Sequence, residues 1–189
     1  ASSVEVGLKM AFQYWHQRKN PKLKKNTYLA LGSAYHGDTL GSVSVGGVAR
    51  FHEMFEPLLF KVIRVENPNT YRLPAGVTKE NATQYYLEQL ETTLAAHHEQ
   101  VAAMVLEPLV QGAAGLIMQP AGYLRGVREL TRKYDVLLIA DEIAVGFGRT
   151  GTMFACDHEG ISPDILCLAK GITGGYLAMS ATVATTEIW

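Results

Sequence analysis

Two short apolar runs in the second half of this chain each end in a charged side chain. The run at 136–140 is followed by Asp141, and the run at 165–169 is followed by Lys170. Apolar runs of this length are typical of strands that are buried on both faces of a parallel sheet. In such sheets the carboxyl ends of neighbouring strands emerge at one edge, where ligands bind. The sequence therefore predicts that Asp141 and Lys170 meet at a binding site, although either residue alone is equally typical of a strand-end side chain that reaches solvent.

The rest of the chain alternates between helical and strand patterns. Helices are expected to about residue 18, after 37, at 81–99 and at 122–134, and further strands at 28–31, 62–65, 101–106 and 181–185. This alternation indicates an α/β fold, with a mostly parallel sheet and helices on both faces in three α/β/α layers. No repeat or linker divides residues 1–189, so one domain is expected. Helical periodicity is present from the first residues and the chain stops soon after a strand, so we expect this domain to be truncated at both ends.

Composition narrows the class of protein. A formal net charge of -1 over 189 residues gives no general attraction to nucleic acid or to a membrane surface. We find no apolar stretch that is long enough to span a bilayer and no signal-peptide pattern. The two cysteines, Cys156 and Cys167, are too few for a disulfide framework and lack metal-ligand spacing, so we expect a cytoplasmic protein without a metal site. The basic cluster at 18–25 is interpreted as a solvated turn.

A third strand also ends in an ionisable residue. The predicted strand at 101–106 is followed by Glu107. If the three strands are neighbours, Glu107, Asp141 and Lys170 lie at one edge of the sheet. Clusters of titratable groups of this kind mark functional clefts more often than isolated strand ends do.

A lysine that faces an aspartate at such an edge indicates pyridoxal 5'-phosphate. The amine of Lys170 can form a Schiff base with the aldehyde, and Asp141 can keep the ring nitrogen protonated, which makes the ring a better acceptor of electrons. Lys170 is also expected to act as the base that moves a proton between two carbons of the substrate. We expect it to be buried.

The segment 146–151 matches the dinucleotide fingerprint G-x-G-x-x-G, which is typical of nicotinamide and flavin enzymes. That fingerprint requires its glycines directly after a strand and at the start of a helix. Five residues separate the glycines from the strand here, and no helical periodicity follows them. We interpret the glycines as a turn that presents Arg149.

Four strings of residues occur in the order seen in one known family. They are YHGDT at 35–39, EPLVQG at 107–112, DEIAVGFGRTG at 141–151 and KGITGG at 170–175. Together they resemble the class III pyridoxal-phosphate-dependent aminotransferases, and the resemblance covers essentially the whole chain. The strings at 9–15, 35–39 and 173–177 are most similar to the members of that class that act in biotin biosynthesis.

The resemblance implies a fold and an activity. The fold is the large, cofactor-binding domain of the fold-type-I transferases, here without its N-terminal segment and C-terminal small domain. The activity is transfer of an amino group from S-adenosylmethionine, or from lysine, to 8-amino-7-oxononanoate, which gives 7,8-diaminononanoate. The partners are therefore a small amino donor and a keto acceptor, and the full-length protein is expected to be a homodimer.

The resemblance also implies roles for residues around the cofactor. Tyr35 is expected to stack on one face of the ring and to meet the substrate, while Ile143 packs on the other face. The backbone at Ala1 and Ser2 is expected to bind the phosphate at the start of a helix. His36 and Glu107 also match positions near the cofactor.

Other positions match those that contact the substrate. Asp38 and Arg149 correspond to polar residues around the amino donor, although Arg149 is equally consistent with a structural ion pair. Tyr35 alone would also be consistent with a core tyrosine.

Two alternatives remain at this point. The protein can be another class III enzyme, such as an ω-amino acid or diamine transaminase, a decarboxylase or a mutase. It can also be a polypeptide that folds or associates without catalysis.

Overall fold

The computed structural model describes residues 1–188 of the chain. Its elements are α1 (Ser2–Gln17), β1 (Thr27–Leu31), α2 (Leu40–Val45), α3 (Ala49–His52), β2 (Val62–Val65), α4 (Ala82–His97), β3 (Val101–Leu106), β4 (Val110–Gln111), β5 (Ile117–Met118), α5 (Tyr123–Lys133), β6 (Leu137–Asp141), β7 (Ile165–Leu168) and β8 (Ala181–Ala184). Three 3₁₀ turns lie at Glu53–Leu58, Ala155–Glu159 and Lys170–Thr173. Within the described residues, none of the helices is both long and apolar enough to cross a membrane.

Six of the strands form one sheet in the order β2-β1-β3-β6-β7-β8. All neighbours from β2 to β7 are parallel, and only β8 pairs antiparallel with β7. The prediction of a mostly parallel α/β fold is confirmed. Because β3, β6 and β7 are adjacent, the residues that follow them emerge next to one another.

From Ala103 to Leu106 the side chains of β3 alternate between two apolar cores, one on each face of the sheet. Met104 and Leu106 pack with residues of α4 and α5, whereas Ala103 and Val105 pack with residues of α1. Successive side chains of a strand point to opposite faces, so a strand that is covered on both faces must be apolar throughout. This explains the uninterrupted apolar runs and establishes the three layers.

Helix α1 packs very closely on the sheet. A Cβ atom added to Gly7 would lie 3.2 Å from the Sγ of Cys167 in β7, so the absence of a side chain at Gly7 allows this approach. At the far end of the helix, Trp15 is buried and its Nε1 donates a hydrogen bond to the carbonyl of Ala102 at 2.8 Å. These contacts fix α1 so that Ala1 lies at the edge of the sheet where the strands end.

The basic cluster at 18–25 is not simply a solvated turn, because Lys25 is 3% exposed. Its Nζ donates hydrogen bonds to the carbonyls of His98 at 2.7 Å, Val101 at 3.0 Å and Asp135 at 2.6 Å. The ammonium also lies 4.5 Å from the centre of the Trp15 ring. Lys25, which lies just before β1, therefore joins this segment to the start of β3 and to the segment that precedes β6.

Replacing Lys25 with methionine should destabilise the protein by about 2–4 kcal/mol, because it leaves buried carbonyls without donors. The matched control is Lys24→Met, since Lys24 is exposed and should change the free energy of unfolding by less than about 0.5 kcal/mol. Urea unfolding of both variants measures the difference. Equal stabilities would show that the three hydrogen bonds of Lys25 contribute nothing net.

Candidate active site

A cavity of about 510 Å³ lies where β3, β6 and β7 end. It is lined by Ala1, Tyr35, His36, Gly37, Asp38, Thr39, Glu107, Gly112, Ala113, Asp141, Ile143, Ala144 and Lys170. All of the site residues expected from the sequence are in this set except Ser2 and Arg149. The structure therefore brings Glu107, Asp141 and Lys170 to one cavity.

The carboxylate of Asp141 is buried and held on both oxygens. Its Oδ2 lies 2.8 Å from Nδ1 of His36, and its Oδ1 accepts a hydrogen bond from the backbone N–H of Ile143 at 3.0 Å. Asp141 is 4% exposed and His36 is 2% exposed. Because a carboxylate only accepts, Nδ1 of His36 carries the hydrogen. These contacts fix the direction in which Asp141 presents its charge to the cavity.

His36 has a second ring nitrogen that remains without a partner. Its Nε2 is buried and makes no hydrogen bond within residues 1–188. A buried polar atom without a partner is uncommon and indicates either strain or a missing group. His36 was predicted from the sequence to lie near a cofactor, and its observed contact is with Asp141. Its hydrogen bond to Oδ2 therefore orients the carboxylate of Asp141.

Glu107 connects two loops that border the cavity. Its Oε1 accepts from the backbone N–H of Tyr35 at 3.1 Å, and its Oε2 accepts from that of Gly112 at 2.8 Å. Burial raises the pKa of Glu107, and the nearby charge of Asp141 acts in the same direction, whereas His36 and the two N–H groups oppose it. The carboxyl therefore holds its proton to a higher pH than an exposed glutamate does.

The raised pKa makes the contribution of Glu107 to stability depend on pH. In the unfolded chain the carboxyl loses its proton near its ordinary pKa of 4.5. Above that pH the unfolded state ionises freely, whereas the folded state still favours the protonated carboxyl, so the free energy of unfolding decreases until the pH exceeds the raised pKa. The stability of the wild type relative to Glu107→Gln should therefore fall as the pH rises above about 4.5. Urea unfolding of both proteins across this range tests it, and a difference that does not change with pH would contradict the raised pKa.

Tyr35 and Ile143 both line the cavity. Tyr35 is half-buried, and its hydroxyl donates a hydrogen bond to Oδ2 of the exposed Asp38 at 2.8 Å. Its ring also contacts the ring of Phe51, with 5.4 Å between centres. Burial, assisted by the hydrogen bond and the charge of Asp38, raises the pKa of Tyr35. The ring is thus held by its contact with Phe51 and by its hydroxyl.

The amino end of α1 opens on the cavity through Ala1. A Cβ atom on Gly37 would lie 2.5 Å from Cα of Ala1, and Gly37 has a φ of 117°, so only glycine fits there. The hydroxyl of Ser42 donates to the carbonyl of Ala1 at 3.1 Å. The start of a 16-residue helix presents free N–H groups and the positive end of its dipole. This end of the cavity therefore suits an anion. Ser2 is exposed beside it.

Lys170 lines the cavity but is exposed, so the prediction that it is buried was wrong. The residues after it explain this, because 171–180 are themselves largely exposed and provide no cover. Lys170 begins a 3₁₀ turn and has a φ of 30°, in a region that residues with side chains rarely adopt. Backbone strain of this kind is concentrated at functional positions.

The loop between β6 and β7 does not have the structure of a dinucleotide site. The helical element that follows Gly151 is the 3₁₀ turn Ala155–Glu159, and no α-helix lies between β6 and β7 in the described chain. Arg149 is exposed in this loop and does not line the cavity. Its expected role with the substrate stays a prediction.

Sequence reasoning did not identify Glu142, which is fully buried beside Asp141. Its two carboxylate oxygens accept hydrogen bonds from the backbone N–H groups of Ala155 and Cys156, each at 2.8 Å. Its own N–H donates to the carbonyl of Cys167 at 3.0 Å. Glu142 thus ties both ends of the 142–154 loop to the sheet. One sign of this role is visible in the sequence, because Glu142 is a second acidic residue after the apolar run at 136–140.

The parallel sheet and the lysine and aspartate at its carboxyl edge agree with a family assignment over the whole chain. The family model for class III aminotransferases matches residues 1–189, and the chain belongs to this family. Class III aminotransferases depend on pyridoxal phosphate.

Relatives with known names are similar along the full chain. The adenosylmethionine-8-amino-7-oxononanoate aminotransferase of Geobacter sulfurreducens is 53% identical over 190 residues, which cover 100% of this chain and 42% of the relative. The enzyme of the same name from Staphylococcus aureus is 50% identical, again over 100% of this chain and 42% of its own length. The chain thus spans about two fifths of the length of these relatives.

Solved structures show the same fold. A structure of adenosylmethionine-8-amino-7-oxononanoate aminotransferase from Methanocaldococcus jannaschii has a TM-score of 0.86 and 41% identity, and the match covers 99% of this chain and 40% of that one. An amine transaminase from an uncultivated Pseudomonas species, in its PLP-bound form, has a TM-score of 0.93 and 40% identity, covering 99% and 42%. The fold-type-I assignment is therefore confirmed.

Proposed function

We propose that residues 1–189 form part of the large domain of a longer protein and bind pyridoxal phosphate in the cavity at the ends of β3, β6 and β7. The observation that carries this proposal is that Lys170, Asp141, Tyr35 and Ile143 surround one cavity that also receives the start of α1. The side chains match the parts of the cofactor: an amine for its aldehyde, a carboxylate for its ring nitrogen, and a helix start for its phosphate.

Each residue around the cavity has a proposed role toward the cofactor. Lys170 would bind the cofactor covalently through Nζ, and after its release the same atom would take a proton from one substrate carbon and return it to another. Asp141, oriented by His36 and Ile143, would hold a proton on the ring nitrogen. Pyridoxal phosphate itself supplies an electron-accepting ring. Tyr35 and Ile143 would confine the ring from its two faces, and Glu107 would fix the loop that bears Tyr35.

The anion end of the cavity is proposed for the phosphate. The backbone N–H groups at Ala1, Ser2 and the next residues of α1 would donate to its oxygens. Gly37 supports this arrangement, since a side chain there would overlap Ala1. Asp38, Tyr35 and Arg149 remain our candidates for contact with the substrate.

For the whole protein we propose transfer of an amino group from S-adenosylmethionine, or from lysine, to 8-amino-7-oxononanoate. The names of relatives that are 53% and 50% identical over the full chain support this substrate pair. The experiment is a transamination assay of the full-length protein, in which 7,8-diaminononanoate is measured by mass spectrometry. Parallel reactions with each donor would distinguish S-adenosylmethionine from lysine. Absence of the diamine with both donors would contradict the proposal.

An amine transaminase is a second candidate, because the Pseudomonas amine transaminase has a TM-score of 0.93 and 40% identity to this chain. The same assay separates the two, with β-alanine and putrescine as amino donors and pyruvate as acceptor. Turnover of these compounds without turnover of 8-amino-7-oxononanoate would favour the second candidate.

We also propose that the full-length protein is a homodimer and acts in the cytoplasm. Large apolar side chains are exposed close together in the segment 51–60, which is consistent with a protein interface: Phe51, Met54, Phe55, Leu58 and Phe60. Cys156 and Cys167 are both free and buried, as suits a reducing compartment. Sedimentation of the full-length protein should give twice the monomer mass, and a monomer mass would contradict the dimer.

A further inference from the structure

We propose that Phe147, in the glycine-rich loop between β6 and β7, is a positioning residue that holds the backbone of Lys170 in its left-handed conformation. The proposal rests on the proposed function, since it assigns to this loop the placement of the amine that binds the cofactor. The loop contains the motif at 146–151 that resembles a nucleotide fingerprint but lacks its structure.

The first step is that the loop is anchored at both ends. Glu142 holds the backbone N–H groups of Ala155 and Cys156 with its carboxylate, and its own N–H donates to the carbonyl of Cys167. Inside the loop the N–H of Gly146 donates to the carbonyl of Glu142 at 2.9 Å. A loop that is fixed in this way can hold its side chains in a constant position against the segment that begins at Lys170.

The second step is that Phe147 lies against Gly171, the residue next to Lys170, with no room for a side chain between them. A Cβ atom added to Gly171 would lie 2.7 Å from Cβ, 2.9 Å from Cδ2 and 3.0 Å from Cγ of Phe147. Real Cβ atoms do not approach other heavy atoms this closely, so the contact requires glycine at 171. The ring of Phe147 is supported from another side by an edge-on contact with Phe154, with 5.8 Å between ring centres.

The third step is that both contacting segments have unusual backbones. Phe147 has a φ of 57° and Lys170 has a φ of 30°. Residues with side chains adopt positive φ at a cost, and they keep it only where the surroundings enforce it. Beside Lys170 the structure provides the anchored loop, the close approach of Phe147 to Gly171, and the hydrogen bond of the 3₁₀ turn from the N–H of Ile172 to the carbonyl of Ala169 at 3.0 Å. Without the Phe147–Gly171 contact the backbone is expected to relax and to point the lysine side chain away from the cavity.

The test measures how fast Lys170 of the full-length protein binds added pyridoxal phosphate. Borohydride is added at set times, and mass spectrometry of peptides measures the pyridoxyl group on Lys170. We expect Phe147→Gly, which removes every contacting atom, to slow this rate by about tenfold. Without the contact the strained backbone of Lys170 would relax and its amine would face the cavity less often. Phe147→Leu keeps Cβ and Cγ and carries two Cδ atoms, so it should react within about twofold of the wild type.

A double-mutant cycle separates direct contact from general damage to the loop. Gly171→Ala should slow the reaction in the wild-type background, because the new Cβ overlaps Phe147. In the Phe147→Gly background the same change should have a much smaller effect, since the overlapping atoms are gone. If Gly171→Ala does not fold, the comparison of Phe147→Gly with Phe147→Leu decides alone. Circular dichroism and thermal melting confirm folding of each variant.

Two results would overturn the proposal. One is a Phe147→Gly protein that binds the cofactor as fast as the wild type. The other is an equal effect of Gly171→Ala with and without the phenylalanine. A wild-type protein that forms no adduct at Lys170 would instead contradict the proposed function, so the two failures can be told apart.

Discussion

Replacing Lys170 with alanine should lower the transamination rate of the full-length protein by about 10⁴-fold or more. The same Nζ is expected to bind the cofactor and to move the substrate proton, and loss of a group with both roles removes most of the catalysis. Lys170 is exposed, so the change should leave the free energy of unfolding within about 0.5 kcal/mol of the wild type.

Lys9 provides the matched control, because it is an exposed lysine on α1 that does not line the cavity. Lys9→Ala should retain activity within about twofold, as expected for a surface change away from the site. Initial rates at saturating substrate measure both variants. Turnover by Lys170→Ala above about one per cent of the wild-type rate would show that another group performs the chemistry.

Replacing Asp141 with asparagine should lower the rate by about 10²–10³-fold, the size typical of losing one preorganised electrostatic contact. Asparagine has nearly the same shape but carries no charge, so it cannot hold the ring nitrogen protonated. It also offers an amide N–H₂ where the carboxylate accepts from both His36 and Ile143. The rate of the chemical step should therefore fall more than the affinity for the amino donor.

Asp135 provides the control for this change, because it lies just before β6 whereas Asp141 is the last residue of the same strand. Asp135 forms an exposed ion pair with Lys22. Asp135→Asn should keep activity within about threefold and stability within about 1 kcal/mol. Equal losses of activity in the two variants would show that the effect comes from damage to β6 and not from the charge of Asp141.

The strands that position the site could be predicted from the sequence because each is buried on both faces. A strand such as β3 must then be apolar throughout, and its first polar residue marks the edge of the sheet. This rule predicts that Glu107, Asp141 and Lys170 lie at the edge of the sheet, and the strands that precede them are adjacent. The positions of Tyr35 and Ile143 at the cavity came from the family resemblance, because their spacing alone carries no such signal.

Other features could not be predicted because they depend on contacts between distant segments. The hairpin of β4 and β5 has strands of two residues each, too short for a periodic pattern. The buried hydrogen bonds of Lys25 depend on three carbonyls that are more than 70 residues away in sequence. The exposure of Lys170 depends on the conformation of the residues that follow it. The apolar run before Lys170 predicts a buried strand but does not predict that conformation.

Lys170 and Asp141 are expected to act on the two ends of one pyridoxal phosphate ring. The most direct measurement is incubation of the full-length protein with pyridoxal phosphate, reduction with borohydride and mapping of the pyridoxyl group on tryptic peptides. We predict one pyridoxyl group per chain on Lys170, with an absorbance band of the bound cofactor that is altered in Asp141→Asn. Label spread over surface lysines, with Lys170 unmodified, would show that Lys170 does not bind the cofactor.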